Sequence, residues 1–264
     1  MTQQELASRI IFDHHLEVSF KAEFIEQFQQ INPEKVALLA TCEYEGIFKN
    51  GGVGTHYKTL SEQLTDDGWY VILVLCHAVD KFVSKSTIPA VQHIFASYEA
   101  PQVLNLQPVH LAALESVHHN DLDRQSYLCF LFTQAIAHCF KAAQIYVEFH
   151  EMRGIGYHTI QAKRSRILGN HCVIAVTMHS GHEWVYEANK WFSELYPEDF
   201  KQICDYEQYT FEQADLAFFP SYYLKTRVES YGWKTDHAKH MPYFIPLIPN
   251  RKQNPLSSEN GEHF

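Results

Sequence analysis

The chain has 264 residues, a formal net charge of −10, and 46% hydrophobic against 20% charged residues. This is an ordinary globular composition with enough apolar residues for a sizeable core. The acidic balance excludes nucleic acid as a main partner, because gripping a phosphate backbone needs a basic face. A small anionic ligand stays open, since a local cradle outweighs net charge at close range.

In chain order, Phe20, Phe24, Ile25, Phe28 and Ile31 recur at helical spacing, and Asn32-Pro33 ends that helix. A strand is predicted at Val36 to Ala40, a helix from about Thr55 to Thr65 and a strand at Tyr70 to Leu75. Gln92 to Ala96 reads as a further strand. The stretch from Val79 to Asn120 is otherwise the least regular, and reads as an insertion or a partner surface. Asp123 to Lys141 predicts a helix with Asp121 or Asp123 near its cap. Ile145 to Phe149 is a strand, and Ile155 to Ile167 a helix closed by Gly169-Asn170. Cys172 to Met178 is a strand, Pro197 to Gln213 contains a long helix, Leu216 to Phe219 is a strand, and Ser221 caps a helix reaching toward Ser230.

The predicted strands are continuous apolar runs, as expected where both faces of a sheet are buried. Their alternation with helices predicts an α/β, Rossmann-like, predominantly parallel sheet with helices on both faces. Residues 1–35 read as an N-terminal helical extension, 36–250 as the main domain, and the polar, proline-broken 251–264 as a disordered tail. No segment approaches the ~18 apolar residues of a membrane span, and the N-terminus carries no signal-peptide pattern. Six cysteines form no C-x-x-C, and Cys42, Cys76 and Cys172 fall in predicted strands as buried thiols. A reducing, cytoplasmic setting is expected.

Lys49-Asn50-Gly51-Gly52-Val53-Gly54-Thr55 follows the first strand and opens a helix. Glycine lets a ligand approach the backbone, the helix N-terminus offers unpaired N–H groups, and Lys49 adds a mobile cation. The stretch reads as a phosphate cradle or as a turn that packs a helix on a sheet. It is neither a Walker loop, in which the lysine ends the motif before Ser or Thr, nor the dinucleotide fingerprint.

Ligands of open α/β sheets bind at the carboxyl ends of strands. That rule selects Glu43, Tyr44 and Glu45, then His150 and Glu151, then His179, Ser180 and His182, and finally Ser221 and Tyr222. Any one of them taken singly reads as a loop residue satisfying the backbone; the shared edge is what raises the functional reading. Arg153, Lys163 and Arg164 read as a solvated helix face, or as contacts to an anionic acceptor. His179-x-x-His182-Glu183 and His237-x-x-His240 lack a third ligand nearby, so no metal is expected. No G-x-S-x-G elbow supports a serine nucleophile.

Several segments in register carry a family resemblance. Glu43-Tyr44-Glu45-Gly46, Lys49 to Thr55, Leu60 to Leu64, Gly68-Trp69-Tyr70-Val71, Val147 to Glu151, Val173 to His179 and Ala214 to Ser221 together resemble the N-terminal domain of glycogen and starch synthase-type (GT-B) glycosyltransferases. The resemblance implies a donor-phosphate loop at Lys49, Asn50, Gly51 and Gly52, and a catalytic cleft histidine at His179. It implies substrate contacts at Glu45, His150, Glu151 and Ser221. Glu151 stands where the family has Asp, and Met152 where it has Trp.

The resemblance also implies a retaining transfer from a nucleotide-sugar donor to a glycan or other acceptor. The nucleotide sugar is a substrate, and no resident cofactor is implied. The family holds its nucleotide mainly on a second domain, so this chain reads as an acceptor-side half. It is expected to be inactive alone and to need a separate donor-binding domain or chain. The alternatives are a non-catalytic glycan- or protein-binding remnant of the same fold, and an unrelated nucleotide-binding α/β protein.

Overall fold

The computed structural model of the chain describes residues 17–47, 51–76, 88–116, 121–190 and 198–243. Its strands are β1 (Ser19–Phe20), β2 (Lys35–Thr41), β3 (Tyr70–Leu75), β4 (His93–Ala96), β5 (Leu104–Asn105), β6 (Gln144–His150), β7 (Cys172–Thr177), β8 (Leu216–Phe219) and β9 (Lys239–His240). Its α-helices are α1 (Ala22–Ile31), α2 (Gly52–Asp66), α3 (Ala100–Val103), α4 (Pro108–Ser116), α5 (Asp121–Cys139), α6 (Tyr157–Arg164), α7 (His182–Ala188), α8 (Glu198–Gln213) and α9 (Tyr222–Ser230). The expected α/β class is the observed one. A seven-stranded sheet runs β4-β3-β2-β6-β7-β8-β9, and every neighbouring pair in it is parallel. β1 and β5 form a separate antiparallel pair.

Alternation along the strands sorts two cores. Val36, Leu38 and Ala40 join Ile72, Val74, Ile145, Val147 and Phe149 on one face. Ala37 and Leu39 join Val71, Leu73 and Leu75 on the other. On the first face α5 lays down Leu128, Leu131, Phe132, Ala135 and Ile136, the i, i+3, i+4, i+7 stripe of a core-facing helix. On the second face α2 contributes Val53, Tyr57 and Leu60. Beyond the end of α2, Gly68 turns the chain with a φ of +79° that suits glycine, while the Trp69 N–H returns to the Leu64 carbonyl at 2.9 Å.

The boundary expected at residue 35 divides nothing in the core. Phe28 of α1 is buried, with its ring 5.0 Å from Phe20 and 5.2 Å from Phe140. The supposedly irregular stretch supplies the edge strand β4 and the β5 partner of β1; its residues 79–87 and 117–120 lie outside the described residues, as does the tail. The helix expected to run to Ile167 ends at Arg164. Arg166 takes a left-handed φ of 62°, and the Ile167 N–H closes on the Ala162 carbonyl at 2.9 Å. α7, which buries none of its residues, was not expected. Among the described residues no helix is long and apolar enough to cross a membrane.

Candidate functional site

β2 pairs with β3 on one side and β6 on the other. The chain therefore reverses its direction of winding at β2, and in folds of this kind ligands bind at such a switch point, here the carboxyl ends of β2 and β6. Along this edge five rings converge: His56 and Tyr57 from the second turn of α2, His150 from β6, His179 after β7, and Tyr243 after β9. The His179 ring is 5.2 Å from His56, 6.4 Å from Tyr57, 6.3 Å from His150 and 5.0 Å from Tyr243, on which it stacks at 15°. Gly52 and His179 thus share one edge, because the helix that Gly52 opens carries His56 onto His179.

The cluster is polar; His56, Tyr57 and His150 are buried, and His179 and Tyr243 are half-buried. His150 is 1% exposed, and its Nε2 accepts the Cys42 N–H at 3.1 Å, so its ring proton sits on Nδ1. His56 Nε2 lies 3.3 Å from Glu148 Oε1, which also accepts the Thr177 hydroxyl at 2.8 Å; the Tyr146 hydroxyl donates to the other oxygen. His56 Nδ1, the Tyr57 hydroxyl and His179 Nε2 are buried without a hydrogen-bond partner among the described residues. Such groups carry a standing desolvation cost that a polar ligand removes. Burial first, then the neighbouring His56 and His150, hold the His179 imidazole well below the usual histidine range. It is neutral at physiological pH, able to share a hydrogen bond with a hydroxyl rather than to act as a cation.

Two carboxylates set the turn that carries His179. Glu151 is fully buried; its Oε2 accepts the His179 N–H at 2.7 Å and its Oε1 the Ser180 N–H at 2.5 Å. Glu207, from α8, accepts the His182 N–H at 2.7 Å, the Arg153 N–H at 2.7 Å and a hydrogen from His182 Nδ1. Burial, and secondarily the Glu207 charge, push the Glu151 carboxyl up to about 7. Glu151 therefore does not reach into the cleft as the substrate contact expected of it: both its oxygens are turned onto backbone amides.

The other expected residues divide. Gly51 caps α2, Gly52 begins it, and Glu43 Oε2 accepts the Gly51 N–H at 3.0 Å. Lys49 and Asn50 lie outside the described residues. Glu45 accepts the Thr55 hydroxyl at 2.7 Å and Lys58 Nζ at 3.0 Å, and those two contacts hold its carboxyl below the usual range. Ser221 accepts the Leu224 N–H at 3.2 Å as the cap of α9. These carboxylate and hydroxyl oxygens brace the ends of helices. His182 leans on Glu207, and no group of three His, Cys, Asp or Glu among the described residues could hold a metal ion.

Sequence reasoning missed His56, Tyr57, Glu148, Glu207 and Tyr243. Glu148 carried a signal: a lone carboxylate inside an apolar strand needs buried donors. The others arrive from elements whose approach only the fold reveals.

With this geometry, a solved structure of a sucrose-phosphate synthase from Thermosynechococcus elongatus is similar to the chain, at a TM-score of 0.50 and 14% identity. The fold is that of a Rossmann-like GT-B half. The match covers 79% of this chain and 48% of that one, so the chain spans about half the length of that synthase. No protein-family model matches, and no curated protein matches.

Proposed function

We propose that the chain is the acceptor-side half of a retaining glycosyltransferase. It moves a sugar from a nucleotide-sugar donor to a glycan or other hydroxyl-bearing acceptor, and the donor-binding domain comes from outside these 264 residues. The observation that carries this reading is the half-buried ring cluster at the carboxyl edge of the sheet. A sugar presents a flat C–H face and many hydroxyls. Tyr243 offers ring surface beside the neutral His179, and His179 Nε2 and His56 Nδ1 are nitrogens without a partner among the described residues. His179, held by the Glu151 clamp, orients the reacting sugar, and orientation is a large part of what a transferase supplies. The nucleotide sugar is a substrate, and no resident cofactor enters. The six free thiols support a reducing, cytoplasmic setting.

One observation favours a second reading, a non-catalytic glycan- or protein-binding member of the same fold. The Glu43 carboxylate holds the Gly51 N–H, which is where a donor phosphate would sit.

The test is an NMR titration of the full chain, and of His179→Ala, with a uridine-diphosphate sugar and with a maltooligosaccharide. The first reading expects the oligosaccharide to shift Tyr57, His150 and His179, an effect lost in His179→Ala, with no sugar transfer by the chain alone. Shifts by neither ligand would defeat it, and robust transfer by residues 1–264 alone would defeat the half-site reading. Oligosaccharide shifts with none from the nucleotide sugar, even beside a donor domain, favour the second.

A further inference from the structure

We propose that Arg153 anchors an oxyanion, a phosphate or carboxylate borne by a small ligand, at the switch point between the carboxyl ends of β2 and β6. This deepens the reading above, by giving the acceptor cleft a ligand with an anionic group.

Three observations converge on this residue. The first is place. Arg153 lies three residues beyond β6, and Cys42 directly follows β2. Burial raises the Cys42 thiol to about 12 against the Arg153 charge, and the carboxyl ends of β2 and β6 flank the turn that carries Arg153. That is the switch point of the sheet, where ligands of such folds bind.

The second is pairing. Among the described residues Arg153 Nε is buried without a hydrogen-bond partner, and no carboxylate forms an ion pair with this guanidinium. The two carboxylates on either side of its backbone, Glu151 and Glu207, are turned onto amide groups. A planar fork of N–H donors with one buried member lacking an acceptor is built for a bidentate oxyanion.

The third is backbone. Arg153 has φ 61° and ψ 8°, a left-handed conformation that costs an L residue free energy. Gly154 follows at φ +57°, and a Cβ there would come within 2.3 Å of Tyr206 Cβ. The Arg153 N–H is held by Glu207 at 2.7 Å and the Gly154 N–H by the Glu151 carbonyl at 2.8 Å. Buried contacts thus keep an arginine where glycine would be easier. The glycine turn differs, since its Gly51 N–H already meets the Glu43 carboxylate.

The test is calorimetric titration of the full chain with inorganic phosphate and, separately, acetate, in chloride buffer near pH 7.5. It uses the wild type, Arg153→Gln, Arg153→Lys and Gly52→Val, with thermal melts of each. Wild type should bind at least one anion with a Kd on the order of millimolar. Arg153→Gln should weaken that by tenfold or more at an unchanged melting temperature, and Arg153→Lys should recover part of it. Response to phosphate alone identifies a phosphate site, and response to both a general oxyanion site. Equal affinity in wild type and Arg153→Gln, or no binding of either anion by wild type, overturns the proposal. Loss in Gly52→Val alone moves the anion to the glycine turn: this anchor falls and the glycosyltransferase reading stands. Loss in Arg153→Gln, in a chain that answers to neither nucleotide sugar nor oligosaccharide, keeps the anchor and removes the glycosyltransferase reading.

Discussion

Replacing Glu43 by alanine asks whether the amino end of α2 receives a phosphate. Glu43 Oε2 is 3.0 Å from the Gly51 N. A ligand oxygen taking that amide displaces the carboxylate, yet remains on the order of 4 Å from it. Two like charges at that range in a water-like medium repel by about 1 kcal/mol. Removing one should tighten a nucleoside diphosphate by roughly fivefold. The gain should shrink near ~0.5 M salt, where the screening length falls below that of dilute buffer. The same carboxylate complements the amino end of a helix that lacks a side-chain cap. Its loss should therefore destabilise the fold by about 0.3–1 kcal/mol, a fall of a few degrees at most in Tm. NMR titrations at low and high salt, with a thermal melt, give both numbers. A folded Glu43→Ala chain whose affinity is unchanged or weaker would refute the phosphate reading and leave the glycines as a structural turn.

Gly52→Val should keep the fold, because a Cβ there meets nothing within 4 Å and valine is no worse than glycine in a helix; it should weaken nucleoside diphosphate binding tenfold or more, and equal binding would show that no ligand approaches that backbone. Stability should also carry two opposed pH slopes. The folded Glu151 carboxyl is raised from 4.5 to about 7, so its contribution is full below pH 4.5 and is lost, by about 3 kcal/mol, as pH rises through 7. His179 is depressed below 6.5, so its contribution is present above pH 6.5 and is lost as pH falls. Urea unfolding between pH 5 and 8 should show Glu151→Gln losing less stability with rising pH than wild type; parallel profiles would contradict the assignment. Ser221→Ala should cost about 1 kcal/mol through the lost cap of α9, and an unchanged urea midpoint would show that the cap contributes nothing.

Sequence reading found β2, β3, β6, β7 and β8 because a strand buried on both faces must be apolar throughout, and Val36 to Ala40 or Tyr70 to Leu75 can scarcely be read otherwise. It missed β9, two exposed residues whose strand character comes from pairing with Phe218 and Phe219. It missed α7 because that helix buries no residue, leaving no periodic stripe to detect. The carboxyl-end rule reached His150, Glu151 and His179. It could not distinguish a side chain with an unpartnered polar atom from one that holds a neighbouring turn, which is the difference between His179 and Glu151. Glu207 was invisible for another reason: its helix presents many charges, and only the packing of α8 selects the one that is buried.

Tyr243 lies three residues beyond β9, the outermost strand of the sheet. Its ring covers one face of the His179 imidazole, and its hydroxyl donates to the Met178 carbonyl at 2.9 Å. Among the described residues β9 pairs with β8 alone. Peripheral chain and central imidazole are therefore mechanically in series. Tension applied past residue 243 would peel the tyrosine away first, and the histidine would feel it before any other strand had shifted.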